Sequence, residues 1–295
     1  MLAHIKQFAQ DGAIDGYCIR VSDGYDGYYW KTSTRPPGSD SVGTGVFGDG
    51  YNGVATISVL TTLTKDMFYN NLTIESGGTL MTANFRIFVK ETLIVNSGGI
   101  IANDGYSSTT NSGGIATASA MFGKASNGGN GGNGGGGTSG SSSVNSWGGA
   151  GGAGGAGGAA AGAAGGATEP IWIADYISAR VDTSTIVFGG GGGGGGGATG
   201  LGGGGGSGGG VVVIAAKTLI NNGTISAVGG SGAPGQSGNA GGGGGGGGGG
   251  ILLCYRTLIN SGTISVNGGS GGSGSGTGTS GSGGSTGRYR ALVII

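Results

Sequence analysis

The side chains able to do chemistry are few and far apart. The chain has one histidine, His4, and two cysteines, Cys18 and Cys254, which lie 236 positions apart. A serine nucleophile needs an imidazole base and a carboxylate to orient it, and His4 in the leader is a poor source of the base. The three glutamates, Glu75, Glu91 and Glu169, form no evident acid–base pair of the kind that glycoside hydrolysis uses. Five Asp-Gly-Tyr triplets begin at Asp15, Asp23, Asp26, Asp49 and Asp104. They invite a calcium reading, but an EF-hand loop alternates acidic ligands and closes on a glutamate, and neither feature is present. Asp-Gly favours turns, which accounts for the triplets, with the tyrosines packing over them. Gly123-Lys124 lacks the spacing and the Ser/Thr of a phosphate loop. Both cysteines read as small buried hydrophobes. The expectation is a protein without catalysis, metal or cofactor.

The remaining chemistry is recognition. Tyr, Trp and Arg dominate binding hot spots, and loops on a rigid scaffold commonly carry function. Four segments interrupt the glycine-rich part of the chain. Residues 106–124 start at Tyr106, are rich in Ser and Thr, and end near Met121-Phe122. Residues 138–147 are a serine loop closed by Trp147. Residues 167–188 hold Trp172, Tyr176 and Arg180. Residues 231–240 are small and polar. The receptor-binding candidates are therefore Tyr106, Met121, Phe122, Trp147, Trp172, Tyr176 and Arg180. Two alternatives stay open. The segment around Trp172 suits one more strand of the base as well as a contact loop, and Tyr106 suits stacking over its own Asp-Gly turn.

The elements that must position these residues have an unusual composition. Of 295 residues 84 are glycine, against about 7% in an average globular protein. Collagen is excluded, because it needs a strict Gly-X-Y period with abundant proline and this chain has four prolines. The formal net charge is zero and no basic run occurs, so nucleic acid is not an expected partner. No apolar run approaches the length of a membrane-spanning helix. Residues 1–13 include His4, Lys6, Gln7, Gln10 and Asp11 and so lack the apolar core of a signal peptide. This combination sets the expectation of a virion component assembled in a host cytoplasm and carried outside on a particle, with another signal-less export route as the alternative.

Residues 1–105 hold 17 charges and 15 glycines, and residues 106–295 hold 9 charges and 69 glycines. Three regions follow. Residues 1–45 read as an attachment leader with a short helix through Leu2, Ile5, Phe8 and Ala9. Residues 46–105 read as a β-rich module with β-branched stretches at 54–63 and 87–95 and a strand–turn–strand at 71–80. Residues 106–295 read as a glycine-rich domain with interspersed strands. Residues 212–230 and 251–269 align without gaps at an offset of 39. Residues 87–105 match both if Val95 is a one-residue insertion, residues 71–82 resemble the second half of the unit, and residues 289–295 its first strand. Such units cannot bury an apolar face alone and stack to share a core. The expected fold is all-β: repeated short strands in a solenoid- or sandwich-like base, carrying glycine segments. These have local period three, as in Asn127-Gly-Gly, Asn130-Gly-Gly, Asn133-Gly-Gly and the four Gly-Gly-Ala triplets of residues 148–159. Period three fits a three-residue-per-turn helix whose amides point sideways to neighbours.

The alternation of strand-like anchors with runs such as residues 189–197 and 241–250 resembles the glycine-rich adhesins at the tips of T-even-like phage long tail fibres. Residues 48–105 are also similar to a module of tail-associated proteins of other phages. The resemblance, over residues 46–295, implies a sandwich of polyglycine II helices whose far-end loops bind outer-membrane protein or polysaccharide on the host. It implies other virion tail proteins as partners through residues 1–45 and a homo-oligomer, with a trimer as one option. A purely structural virion protein, such as a shaft, baseplate or capsid decoration, is the other reading.

Overall fold

The computed structural model describes residues 16–22, 28–34, 46–116, 125–135, 149–158, 161–166 and 194–294. In chain order its strands begin with β1 (Gly16–Ser22), β2 (Tyr28–Thr34), β3 (Val54–Ile57), β4 (Leu60–Thr62), β5 (Met67–Tyr69), β6 (Asn71–Ile74), β7 (Thr79–Met81), β8 (Arg86–Val95) and β9 (Ile100–Ala102). They continue with β10 (Asn133–Gly135), β11 (Gly197–Leu201), β12 (Val211–Asn221), β13 (Thr224–Ser226), β14 (Gly250–Asn260), β15 (Thr263–Ser265) and β16 (Arg288–Val293). Among the described residues there is no helix. The short helix expected near the N-terminus lies outside them. Near the N-terminus, β1 and β2 pair antiparallel with Ser22 opposite Tyr28 and Arg20 opposite Trp30. Tyr17, Tyr28 and Tyr29 occupy ladder positions, and the turns expected at Asp23-Gly24 and Asp26-Gly27 lie outside the described residues.

Two parallel sheets carry the repeats. One has the strand order β16-β14-β12-β8-β6-β3, with β5 also on β8, and the other has the order β15-β13-β9-β7-β4. Each complete repeat sends one strand to each sheet, so the expected single stretch over 54–63 is divided between β3 and β4. The offset of 39 is realised as pairing, with Val212 opposite Ile251 and Ile225 opposite Ile264. The first sheet also receives the C-terminal strand, Cys254 opposite Leu292.

Val95 is not the insertion. It lies opposite Asn221 and is fully buried. The register shift falls instead where Lys90 and Glu91 face Lys217. There the Lys217 ammonium meets the Glu91 carboxylate at 2.7 Å, both half-exposed. A bulge among charged, solvated side chains disturbs no packing, whereas an extra residue at Val95 would push a core side chain out of its column.

One apolar cluster lies between the sheets and draws on both. It includes Leu72, Ile74, Leu93 and Val95 from the first, Leu80, Ile101 and Ile225 from the second. Residues 211–216 are buried on both faces of β12, which explains a continuous apolar run where β6 shows alternation. The turns between sheets use glycine where it is required. Gly77 and Gly98 have φ of 82° at the third position of matching four-residue turns, with the Gly78 N–H donating to the Glu75 carbonyl and the Gly99 N–H to that of Asn96.

The glycine segments leave this base and bond to one another. Residues 241–250 show the pattern. The N–H groups of Gly203, Gly206 and Gly209 donate to the carbonyls of Gly241, Gly244 and Gly247 at 2.9 Å each. Those of Gly149, Gly152 and Gly155 donate to Gly248, Gly245 and Gly242, and those of Gly269 and Gly272 to Gly246 and Gly243. In turn Gly243, Gly246 and Gly249 donate to Ala233, Gly230 and Ala227, and Gly242, Gly245 and Gly248 to Thr279, Ser282 and Ser285. Every series steps by three residues, so each third of the backbone faces its own neighbours. A Cβ built on Gly246 collides with the Ser207 carbonyl, and one on Gly243 with that of Gly204.

The two parts meet at a buried polar joint. The Asn84 Oδ1 accepts from the Val211 N–H (3.0 Å) and the Asn103 Nδ2 (2.6 Å), and Asn103 Nδ2 also donates to the Val211 carbonyl (2.9 Å). Ala83 and Asn84 hold φ of 48° and 66° to present that amide. The packing sets a contrast. Gly246→Ala should lower the unfolding free energy by about 3 kcal/mol or more through backbone collision. Gly283→Ala, whose Cβ would meet only the Gly269 carbonyl at 3.3 Å, should change it by less than about 1 kcal/mol. Denaturant unfolding of the two variants checks this.

Candidate functional site

The described site begins where the chain leaves β9. Asp104 turns the backbone from the sheet into the glycine segments. Its carboxylate accepts from the Val228 N–H (2.9 Å) and the Ser226 hydroxyl (3.0 Å). Burial raises its pKa, and these two bonds oppose the rise without cancelling it. The next residues are held from below. The Tyr106 N–H donates to the Ser207 Oγ (2.7 Å), and the Ser207 N–H returns a bond to the Tyr106 carbonyl (3.0 Å). Ser207, the one side chain in the run of residues 202–210, is fully buried and serves as this anchor.

Residues 106–116 then form an open groove of about 540 Å³, lined by their own side chains and backbone. Ser108 folds the loop on itself. Its hydroxyl lies 3.0 Å from the Thr110 carbonyl and 2.6 Å from that of Ser112. Asn130 Oδ1 accepts from the Gly113 N–H (2.8 Å), and Asn127 Oδ1 from the Ala116 N–H (2.9 Å). The three-residue spacing that marks the Asn-Gly-Gly triplets puts both amides on the side facing the loop. Tyr106 is 53% exposed and Ile115 is 73% exposed. The groove thus offers hydroxyls from Ser107, Thr109 and Thr110 between an aromatic and an aliphatic side chain, on a backbone bonded into the scaffold.

Of the residues singled out by sequence, Tyr106 is at this groove. Met121, Phe122, Trp147, Trp172, Tyr176 and Arg180 lie outside the described residues, as do the loops at 138–147 and 167–188. The segment 231–240 is less of an interruption than its composition suggests. The N–H groups of Gly232 and Gly235 donate to the carbonyls of Ser270 and Ser273 in the three-residue step, and Ala233 and Ala240 are fully buried. Pro234, Gln236 and the reversal at Ser237–Gly238 are exposed, with Gly238 at φ 61°. Ile115, Asn127 and Asn130 were not expected as site residues. Ile115 is isolated in a polar stretch, which left no periodic signal, whereas the asparagine period was visible without its purpose.

Among the described residues no three His, Cys, Asp or Glu side chains gather as a metal site. Cys254 is half-buried and unbridged, and burial pushes its thiol up, toward the protonated and unreactive form. No family model, curated protein or solved structure matches this chain.

Asp104 generates a pH test. Its folded pKa is raised, so its contribution to stability is largest below the ordinary carboxylate value of about 3.9 and is lost as pH rises through the folded value. Wild type minus Asp104→Asn should therefore lose relative stability between about pH 4 and neutrality, read as the difference in Tm across a pH series. A flat difference would mean that the carboxylate is not penalised by burial.

Proposed function

We propose that this chain is a non-enzymatic phage virion protein, a tail-fibre or tail-tip adhesin that displays loops on a rigid glycine-rich scaffold to bind a host surface receptor. The glycine segments read as polyglycine II helices, three residues per turn with about 3.1 Å rise and no internal hydrogen bonds. The parallel sheets read as their stacked base. The observation that carries the proposal is the three-residue hydrogen-bond step around residues 241–250, combined with a groove at residues 106–116 clamped onto that array.

The mechanism is display. A loop already held in place loses little conformational freedom on binding. Hydroxyls flanked by Tyr106 and Ile115 suit the faces and edges of a polysaccharide or the polar rim of an outer-membrane protein. Single contacts of this size are weak, and several copies on one particle would supply avidity. Residues 1–45 would join the chain to other tail proteins, and assembly would take place in the host cytoplasm. The second reading, a structural shaft or decoration, is favoured by one observation: the outermost strands of the sheets expose Val54, Leu60, Ile259 and Val293.

Adsorption decides between them. Purified chain added to host cells of the source culture should block particle adsorption. The double variant Tyr106→Ala with Ile115→Ser should require about tenfold more protein for the same block. Immunogold against residues 106–295 should label the tail tip. Full adsorption in excess chain, with gold along a shaft or over the capsid, would replace the adhesin reading by the structural one.

A further inference from the structure

Six Asn-Gly pairs occur in the chain, beginning at Asn52, Asn127, Asn130, Asn133, Asn222 and Asn267. In such a pair the backbone nitrogen of the glycine can attack the asparagine side-chain amide, because no Cβ stands in its way. The attack requires the peptide between the two residues to turn until the nitrogen meets Cγ. A hydrogen bond on the N–H or the carbonyl of that peptide resists the turn. The fold therefore decides which pair reacts.

Five of the six are held. The Gly53 N–H donates to the Gly50 carbonyl (2.8 Å), the Gly128 N–H to that of Gly114 (2.9 Å) and the Gly131 N–H to that of Asn111 (2.6 Å). The Oδ1 atoms of Asn52, Asn127 and Asn130 also accept, from the N–H groups of Phe68, Ala116 and Gly113. Asn133 lies in β10, opposite Leu201. The Asn267 carbonyl accepts from the Gly229 N–H (2.9 Å) within the glycine array. Asn222 differs. It is exposed, in the two-residue connection between β12 and β13. Among the described residues neither its carbonyl, nor its side chain, nor the Gly223 N–H makes a hydrogen bond. The equivalent peptide one repeat on, between Ser261 and Gly262, is tied by the Gly262 N–H to the Asn221 carbonyl (2.9 Å) and carries a serine.

We propose that Asn222 is the site at which the folded chain spontaneously deamidates and forms isoaspartate. The Gly223 nitrogen gives up its proton to water and attacks Asn222 Cγ. The Cγ–Nδ2 bond breaks, ammonia leaves, and a succinimide ring remains. Water then opens the ring at either carbonyl. One opening gives aspartate, and the other gives isoaspartate, whose main chain is one methylene longer. The connection has no slack for that carbon. The Asn222 N–H donates to the Val95 carbonyl (2.8 Å) and the Thr224 N–H to that of Gly99 (3.0 Å). Asn221 lies opposite Asn260 and Thr224 opposite Thr263. The isoaspartate form therefore strains the register of β12 against β13, whereas aspartate only adds a charge at an exposed position. The glycine cannot be exchanged to avoid this, since a Cβ on Gly223 would lie 2.3 Å from the Gly99 carbonyl. The site is separate from the groove at residues 106–116 and does not rest on the proposed function.

Peptide mapping by mass spectrometry of the full chain, aged at neutral pH, tests this, with isoaspartate counted by methyltransferase labelling. The peptide holding Asn222 should convert at least about fivefold faster than each of the other five, the factor that one net hydrogen bond is worth. In denaturant the six rates should converge. Asn222→Ser should abolish the fast conversion. The isolated isoaspartate form should unfold at a lower denaturant concentration than fresh protein, and Asn222→Asp should not. Three outcomes would overturn the proposal: another pair converting first in the native chain, Asn222 staying intact while the denatured chain converts, or the same ordering with and without denaturant. The wild-type maps decide even where a variant fails to fold.

Discussion

Everything in this molecule depends on burying backbone that has almost no side chains to bury. A polar N–H or C=O removed from water without a partner costs about as much as a lost hydrogen bond. In the glycine segments the neighbours of a backbone are other backbones, and they approach closely enough to bond only because no Cβ stands between them. The collision that a methyl group at Gly243 or Gly246 would make with a facing carbonyl is the same fact seen from the other side. Glycine is required here for closeness at nearly every step, and for its left-handed conformations only at reversals such as Gly238.

Closeness alone would not order such a domain. Fixing a residue costs about 1–2 kcal/mol in backbone entropy, and a net hydrogen bond returns about 1 kcal/mol. The strand base supplies the difference by fixing where each glycine segment starts and ends. The chain enters the array from β9, β13 and β15 and returns through β12, β14 and β16, so the register of the ladder becomes the register of the glycine segments. The Asn84–Asn103–Val211 joint ties the two together at a point buried from water.

The proposed function belongs to the places where the array is interrupted. Residues 106–116 are rich in hydroxyls, and their hydrogen bonds run back into the array through Ser207, Asn127 and Asn130. A loop built this way is set by its scaffold.

The amino-acid sequence by itself determined the strand repeats, the offset of 39, the turn glycines and the period of three, because each follows from local chemistry and spacing. Tyr106 was legible as a candidate through its place at a composition boundary. What only the tertiary structure decided is how repeats far apart in the chain meet. The bulge moved from Val95 to the charged pair Glu91–Lys217 because burial, not alignment, sets the cost of an extra residue. Residues 231–240 joined the array instead of leaving it because their amides found carbonyls 38 residues away. Ser207 became an anchor because the Tyr106 backbone came to lie beside it, 101 residues distant in the chain. A glycine has no side chain to name its partner, so its neighbours are fixed only when the whole array is assembled.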